Sequence, residues 1–231
     1  MKDKWPKILP FLTEDQIRIK TDFMKHWHEV LPRKYGIIEE FNHGYPIKNS
    51  KRGTKVLEIG AGLGEHLSYE NLDNIEYTAL ELLPTMAEVI KRRFPTVNVL
   101  VGDCQKSINL PDKYFDRVLA IHVLEHLPNL PAALVEIRRL LNSNGEFCVV
   151  IPCEGGLAYS FARVISAKRI FEKRYNTNYD WCIKSEHVNT AKEIVEELQK
   201  FFIIKKRQFF PFFIPSVTLN LVIGLILKPR N

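Results

Sequence analysis

The stretch Val56-Leu57-Glu58-Ile59-Gly60-Ala61-Gly62-Leu63-Gly64-Glu65-His66 constrains this chain more than any other. A short apolar run ends in an acid and breaks at once into three glycines spaced two apart. Glycine has no Cβ, so a turn built from it takes positive φ without strain and lets a ligand approach the backbone. A strand that ends in such a loop and opens a helix is the first unit of an α/β sheet whose ligands sit beyond the strands' carboxyl ends. The spacing then narrows the ligand. A dinucleotide loop needs G-x-G-x-x-G, but Glu65 stands at the third glycine's place and Gly64 comes one residue early. A carboxylate beside a pyrophosphate repels it, so the loop fits a nucleoside without phosphates. No Gly-Lys-Ser/Thr follows, which excludes a Walker loop.

From Thr54 the pattern alternates. Strands are predicted over 56–59, 76–80, 97–101, 115–121 and 147–151, with helices after the glycine loop, over 84–93 and over 132–141. The Asn142-Ser143-Asn144-Gly145 run reads as the stop of that last helix. Two later runs, 202–209 and 219–227, are joined by a proline-rich connection and read as an antiparallel pair at the sheet edge. The expected fold is therefore α/β: a Rossmann-like, doubly wound, mostly parallel seven-stranded sheet with an antiparallel edge hairpin. Residues 1–53 read as a helical N-terminal cap, in which Thr13-Glu14-Asp15-Gln16 resembles a capping box for a helix to about residue 31. Residues 54–231 read as the ligand-binding domain, with 153–190 as a substrate-facing insertion after strand five. Thr190 then caps a helix to about residue 200.

Composition removes several classes. The chain has 231 residues, 45% hydrophobic and 26% charged, as in an ordinary globular protein with a substantial core. A net charge of +6 fits an anionic substrate or membrane surface but is too small to argue for nucleic acid. Four cysteines without a CxxC pair fit reduced thiols and a cytoplasmic location. The first residues carry acids and no long apolar run, unlike a signal peptide. Residues 209–227 are uncharged over 19 positions, but Pro211, Pro215 and Asn220 interrupt them. They read as buried strand; Lys205-Lys206-Arg207 alongside leaves peripheral lipid contact open.

Glu81 lies 21 residues after Gly60, at the end of the second strand, where a carboxylate accepts from ribose hydroxyls. Gly102-Asp103-Cys104 ends the third strand, and its acid suits an adenine amine. Phe115-Asp116-Arg117-Val118-Leu119-Ala120-Ile121-His122-Val123-Leu124-Glu125-His126-Leu127 follows. In this order the set resembles the class I S-adenosylmethionine-dependent methyltransferases, over roughly residues 54–152. The resemblance implies S-adenosylmethionine as cofactor and S-adenosylhomocysteine as product. It places Glu58, Gly60, Gly62 and Gly64 around the methionine part, with the acid facing the ammonium group. It also implies Glu81 on the ribose, Asp103 on the adenine amine, Cys104 lining the adenine, and His122 facing the sulfonium.

His122-x-x-Glu125-His126 also matches the H-x-x-E-H pattern of inverted zinc proteases. That pattern needs one helix face, whereas this one overlaps a strand end and meets Pro128; packing is the expected role of His126. No carboxylate cluster suited to Mg²⁺ is visible, and no metal is expected. On the acceptor side, His187 and His122 are the candidate catalytic bases. Gly155 and Gly156 either admit substrate or turn the chain. Arg163, Lys168, Arg169, Lys173 and Arg174 form either a solvated face or an anion-reading one, and Tyr175, Tyr179 and Trp181 are candidates to stack on a sugar-like acceptor. The expected partner is a small-molecule acceptor, anionic, sugar-containing or lipid-linked. A catalytically silent binding protein is the alternative. No Asn/Asp-Pro-Pro-aromatic loop follows the fourth strand, so no nucleic-acid partner is expected.

Overall fold

The computed structural model describes residues 4–230, and every side chain among them except those of residues 27–34. Seven strands form one sheet: β1 (Lys55–Ile59), β2 (Glu76–Glu81), β3 (Asn98–Val101), β4 (Phe115–Ile121), β5 (Leu141–Pro152), β6 (Phe202–Phe210) and β7 (Val222–Pro229). Their order is β3-β2-β1-β4-β5-β7-β6. The first five pair in parallel, and β7 runs antiparallel to both β5 and β6. The expected mostly parallel sheet with an antiparallel edge is what the chain adopts.

Alternation along each strand decides which face a residue serves. Phe147, Val149 and Ile151 of β5 and Ile223, Leu225 and Leu227 of β7 enter one apolar layer. That layer is closed by α4 (Leu130–Leu140) and α8 (Ala191–Phe201), through residues such as Leu134, Ile137, Ile194 and Leu198. Cys148, Val150, Val222 and Ile226 point to the other face, against α2 (Gly36–Asn49) and α3 (Pro84–Arg93) through Tyr45 and Ile90. Burying each such leucine or isoleucine stabilises the fold by about 2 kcal/mol. Gly224 lets α2 sit directly on β7, because a Cβ there would lie 2.4 Å from the Tyr45 ring. Of the uncharged run 209–227, residues 222–227 therefore end in a buried strand, whereas Phe212, Phe213 and Leu219 before it are exposed, because only the last part pairs with β5. No helix among the described residues is long and apolar enough to cross a membrane.

Residues 153–190 form α5 (Leu157–Arg163), a π-turn at Val164–Lys168, α6 (Arg169–Tyr175) and α7 (Asp180–Glu186). With α1 (Glu14–Lys34) they enclose a third apolar cluster built on Phe23, Phe171, Tyr179 and Cys182. The capping box at Thr13 forms, with Gln16 N–H 3.3 Å from Thr13 Oγ1 and Thr13 N–H 3.0 Å from Gln16 Oε1.

One local expectation fails. The glycine loop opens only a single 3-10 turn, His66–Ser68, not a helix. Beyond it, Leu67, Leu72 and Ile75 are too sparse and too widely spaced to form a helical stripe. The Asn142–Gly145 run follows the end of α4 at Leu140, as expected, with no loop between them. It belongs to β5, where the register shifts opposite Phe115 and Arg117 and Asn142 Nδ2 donates to Asp116 Oδ1 at 2.7 Å.

Candidate active site

Parallel pairing brings the carboxyl ends of β1 to β5 to one edge, and the order reverses direction between β1 and β4, where open α/β sheets bind ligands. Every cofactor residue expected from the sequence lies on this edge. Gly60, Gly62 and Gly64 have φ of +65°, +58° and +80°. The requirement is sharpest at Gly60, where a Cβ would also lie 2.5 Å from Val123 Cγ2. Gly62 N–H donates to Glu81 Oε2 at 2.9 Å, and Leu83 N–H donates to Glu81 Oε1 at 2.9 Å. The loop after β1 and the end of β2 are thus one unit. Glu81 is buried, with each oxygen keeping a lone pair for a further donor.

Glu58 is buried and accepts from Tyr77 Oη at 2.9 Å. Burial pushes its carboxyl up to about 8; Glu65, Glu70 and Glu81 add to this, and the Tyr77 hydrogen bond opposes it. Such a group is mostly protonated at neutral pH and becomes ionised when a cation arrives beside it. Asp103 receives the Gln105 backbone N–H (2.9 Å) and Nε2 (3.1 Å), both on Oδ1. Cys104 is buried beside it, and burial holds its thiol up at about 12, so it serves as lining rather than as a nucleophile. Three acids at the ends of three successive strands, with a cradle that any Cβ would fill, fit a nucleoside carrying positive charge.

The other half of the edge holds imidazoles. His122 follows β4 in the left-handed region, φ +53°, with its N–H on Val150 O at 2.9 Å and Nδ1 3.1 Å from Glu125 Oε1. Burial works against charge on His122, but the hydrogen bond and charge of Glu125 raise its pKa. Glu125 is fully buried; that alone would raise its pKa, yet the His122 hydrogen bond and the charges of His126, His122 and His187 hold it at about 2. His126 packs edge-on to His187, ring centroids 5.0 Å apart. Burial lowers its pKa. His187 Nδ1 lies 2.9 Å from Glu154 Oε2, and Arg163 Nη1 donates to both Glu154 oxygens at 2.7 Å.

The structure therefore gathers His122 and His187 in one cluster and adds Glu125, Glu154 and Arg163 to it. Glu154 follows β5 directly, at the same edge as the predicted acids; that placement was the available signal. The basic and aromatic readings of the insertion fare differently. Arg163 is committed to Glu154, Lys168 to Asp180 (2.9 Å), and Arg174 to Asp22 (3.1 Å). Tyr179 is buried against Phe23 and Phe171, and Tyr175 and Trp181 pack on the same cluster. Those rings form core, not a stacking platform. Arg169 and Lys173 remain exposed.

Residues 57–149 match the family described as Methyltransferase domain. Over those residues the chain is similar to the class I S-adenosylmethionine-dependent methyltransferases. Among curated relatives, it is 30% identical over 99 residues to the sterol 4-C-methyltransferase strm-1 of Caenorhabditis elegans, covering 40% of this chain and 29% of that protein. It is 31% identical over 97 residues to the malonyl-[acyl-carrier protein] O-methyltransferase of Serratia marcescens, covering 42% of this chain and 38% of that one. The chain thus matches well under half the length of these relatives. Among solved structures, a possible histamine N-methyltransferase from Thermotoga maritima superposes with a TM-score of 0.64 at 20% identity, covering 94% of this chain and all of that one. The methyltransferase fold extends across the sheet beyond the matched segment, through β6 and β7. The Thermotoga maritima protein is described as an S-adenosylmethionine-dependent methyltransferase.

Proposed function

We propose that this chain transfers a methyl group from S-adenosylmethionine to a hydroxyl of a small, lipid-linked or sugar-containing acceptor. The observation that carries the reading is the division of one sheet edge into an acid ladder, Glu58, Glu81 and Asp103, and a histidine–carboxylate cluster beside it. Bound S-adenosylmethionine supplies an electrophilic methyl on a sulfonium. The residues assign themselves to the rest. Glu58 faces the ammonium group, Glu81 holds the ribose and Asp103 the adenine amine, while Cys104 lines the ring. The chain aligns nucleophile and methyl, and such alignment removes several kcal/mol of barrier. The acceptor proton passes to His122, held by Glu125, or to His187, held by Glu154.

Support for a lipid-linked acceptor comes from the outer surface. Leu157, Phe161, Val164 and Ile165 are all more than half exposed, and so are Phe212 and Phe213. The two stretches adjoin, since Ala158 N–H donates to Thr218 O at 2.9 Å. Exposed Lys205, Lys206 and Arg207 lie on the strand leading into this loop. An apolar patch with basic flanks suits an anionic membrane surface. The sterol methyltransferase relative agrees with an apolar acceptor.

Incubation with labelled S-adenosylmethionine and a fractionated extract of the source organism tests the reading. One labelled lipid or glycolipid product is expected, lost with Glu81→Ala. If Glu81→Ala binds S-adenosylmethionine as tightly as the parent, the ribose assignment is wrong. Donor binding with no labelled product in any fraction favours the silent binding protein.

A further inference from the structure

Three side chains with metal-ligating atoms meet at the acceptor end of the edge. One donor atom each of Glu125, His126 and His187 lies within 4.8 Å of the other two. His126 and His187 are 61 residues apart in sequence, yet the backbone fixes their proximity. Val188 and Asn189 N–H donate to Glu125 O at 2.9 and 3.1 Å. Asn189 Nδ2 donates to Leu124 O and Leu127 O at 2.7 and 2.8 Å. The 3-10 turn at Leu124–His126 and the residues just after α7 are thereby one piece.

Both imidazoles are held through the same nitrogen. His126 Nδ1 lies 2.8 Å from Glu186 O, and His187 Nδ1 2.9 Å from Glu154 Oε2. A neutral histidine whose Nδ1–H is donated keeps its lone pair on Nε2. Metal-bound histidines are held in this way, with a carbonyl or carboxylate on the far nitrogen. Glu125 supplies the oxygen. Its Oε1 lies 3.9 Å from His126 Nε2, and its buried Oε2 has no hydrogen-bond partner. An unpartnered buried carboxylate oxygen bears an uncompensated desolvation cost, which a cation would offset. Ligands held about 2.0–2.2 Å from an ion lie roughly 3–4 Å apart, so the cluster needs to contract by about an ångström.

We propose that Glu125, His126 and His187 bind a divalent first-row transition ion. Two imidazoles with one carboxylate suit Zn²⁺, Fe²⁺ or Co²⁺, whereas Mg²⁺ and Ca²⁺ take all-oxygen sites. Three protein ligands leave positions open, as in centres that bind substrate. Two neighbouring hydroxyls of a sugar-like acceptor can fill such positions, and the ion then lowers the pKa of the bound hydroxyl. This rests on the proposed methylation of oxygen. It also refines it, because a ligating His187 leaves His122 as the proton acceptor.

The test uses the full chain without an affinity tag, stripped of metal by a chelator. Zn²⁺ is titrated by calorimetry and Co²⁺ by visible absorption. One ion per chain is expected. His187→Gln should weaken binding by about 100-fold or more, and Glu154→Gln, which only unlatches His187, by about 10–100-fold. His26→Gln on α1 should change nothing. Retained S-adenosylmethionine affinity reports that each variant is folded. No saturable binding of either ion to the parent, or equal affinity in His187→Gln, overturns the proposal. Methyl transfer that is indifferent to chelator in an ion-free protein removes the metal and leaves the proposed function. One bound ion with no methyl transfer to any acceptor does the reverse.

Discussion

Glu58 carries a pH dependence of definite sign. Its pKa rises from an ordinary 4.5 to about 8 on folding, so the native state holds a proton that the unfolded chain has lost between those values. Its contribution favours the fold fully below 4.5 and is lost as pH rises towards 8. Each unit of difference corresponds to about 1.4 kcal/mol. Glu58→Gln should therefore unfold at higher urea than the parent near pH 8, with the gap closing on acidification; a constant gap across pH sinks the assignment. In the parent, S-adenosylmethionine binding should release a proton near pH 7, seen as a heat that changes with buffer ionisation enthalpy. Gly60, Glu81 and Asp103 are legible in the sequence because each is read from one strand end and one turn. The Glu154–His187 pair is not. It joins residues 33 apart, and only the common edge of a parallel sheet brings them together.

At the scale of elements, two helix starts are written in the sequence as capping boxes, at Thr13 and Thr190. Thr190 and Glu193 exchange bonds at 3.3 and 2.9 Å to cap α8, and Lys7 Nζ adds a contact to Glu193 at 2.9 Å. Thr190→Ala should cost about 1 kcal/mol, read as a lower urea midpoint at unchanged slope. An unchanged midpoint would mean that the cap contributes nothing to the fold. The strands are legible because short, nearly continuous apolar runs bounded by turns are what a sheet buried on both faces requires. The helix expected after the glycine loop was an inference from the general strand–loop–helix unit, and residues 66–75 lack the apolar stripe that would support it. The basic insertion misled in another way. Charge composition shows Lys168 and Arg174 but not the acids they face, because Asp180 and Asp22 come from two other helices, α7 and α1.

For the molecule as a whole, the proposed membrane contact rests on the outer apolar patch. The protein should sediment with vesicles rich in phosphatidylglycerol, less with neutral vesicles and less in high salt. Replacing both Phe161 and Phe213 by serine should abolish this while leaving S-adenosylmethionine affinity intact. Absence of sedimentation with either lipid counts against membrane docking. The sequence showed the apolar run of 209–227 but not that it divides, the strand going inward and the loop outward; that division is decided by pairing with β5. The tie between residues 187–189 and the turn at 124–127 has a further consequence, in time rather than in space. A ribosome delivers Glu58, Glu81 and Asp103 first, and His187 follows Asp103 by 84 residues, roughly 4–17 s at ordinary elongation rates. Until Val188 and Asn189 emerge, the carbonyls of Leu124, Glu125 and Leu127 lack their final partners. The residues assigned to the methyl donor thus leave the ribosome before His187, which is assigned to the acceptor.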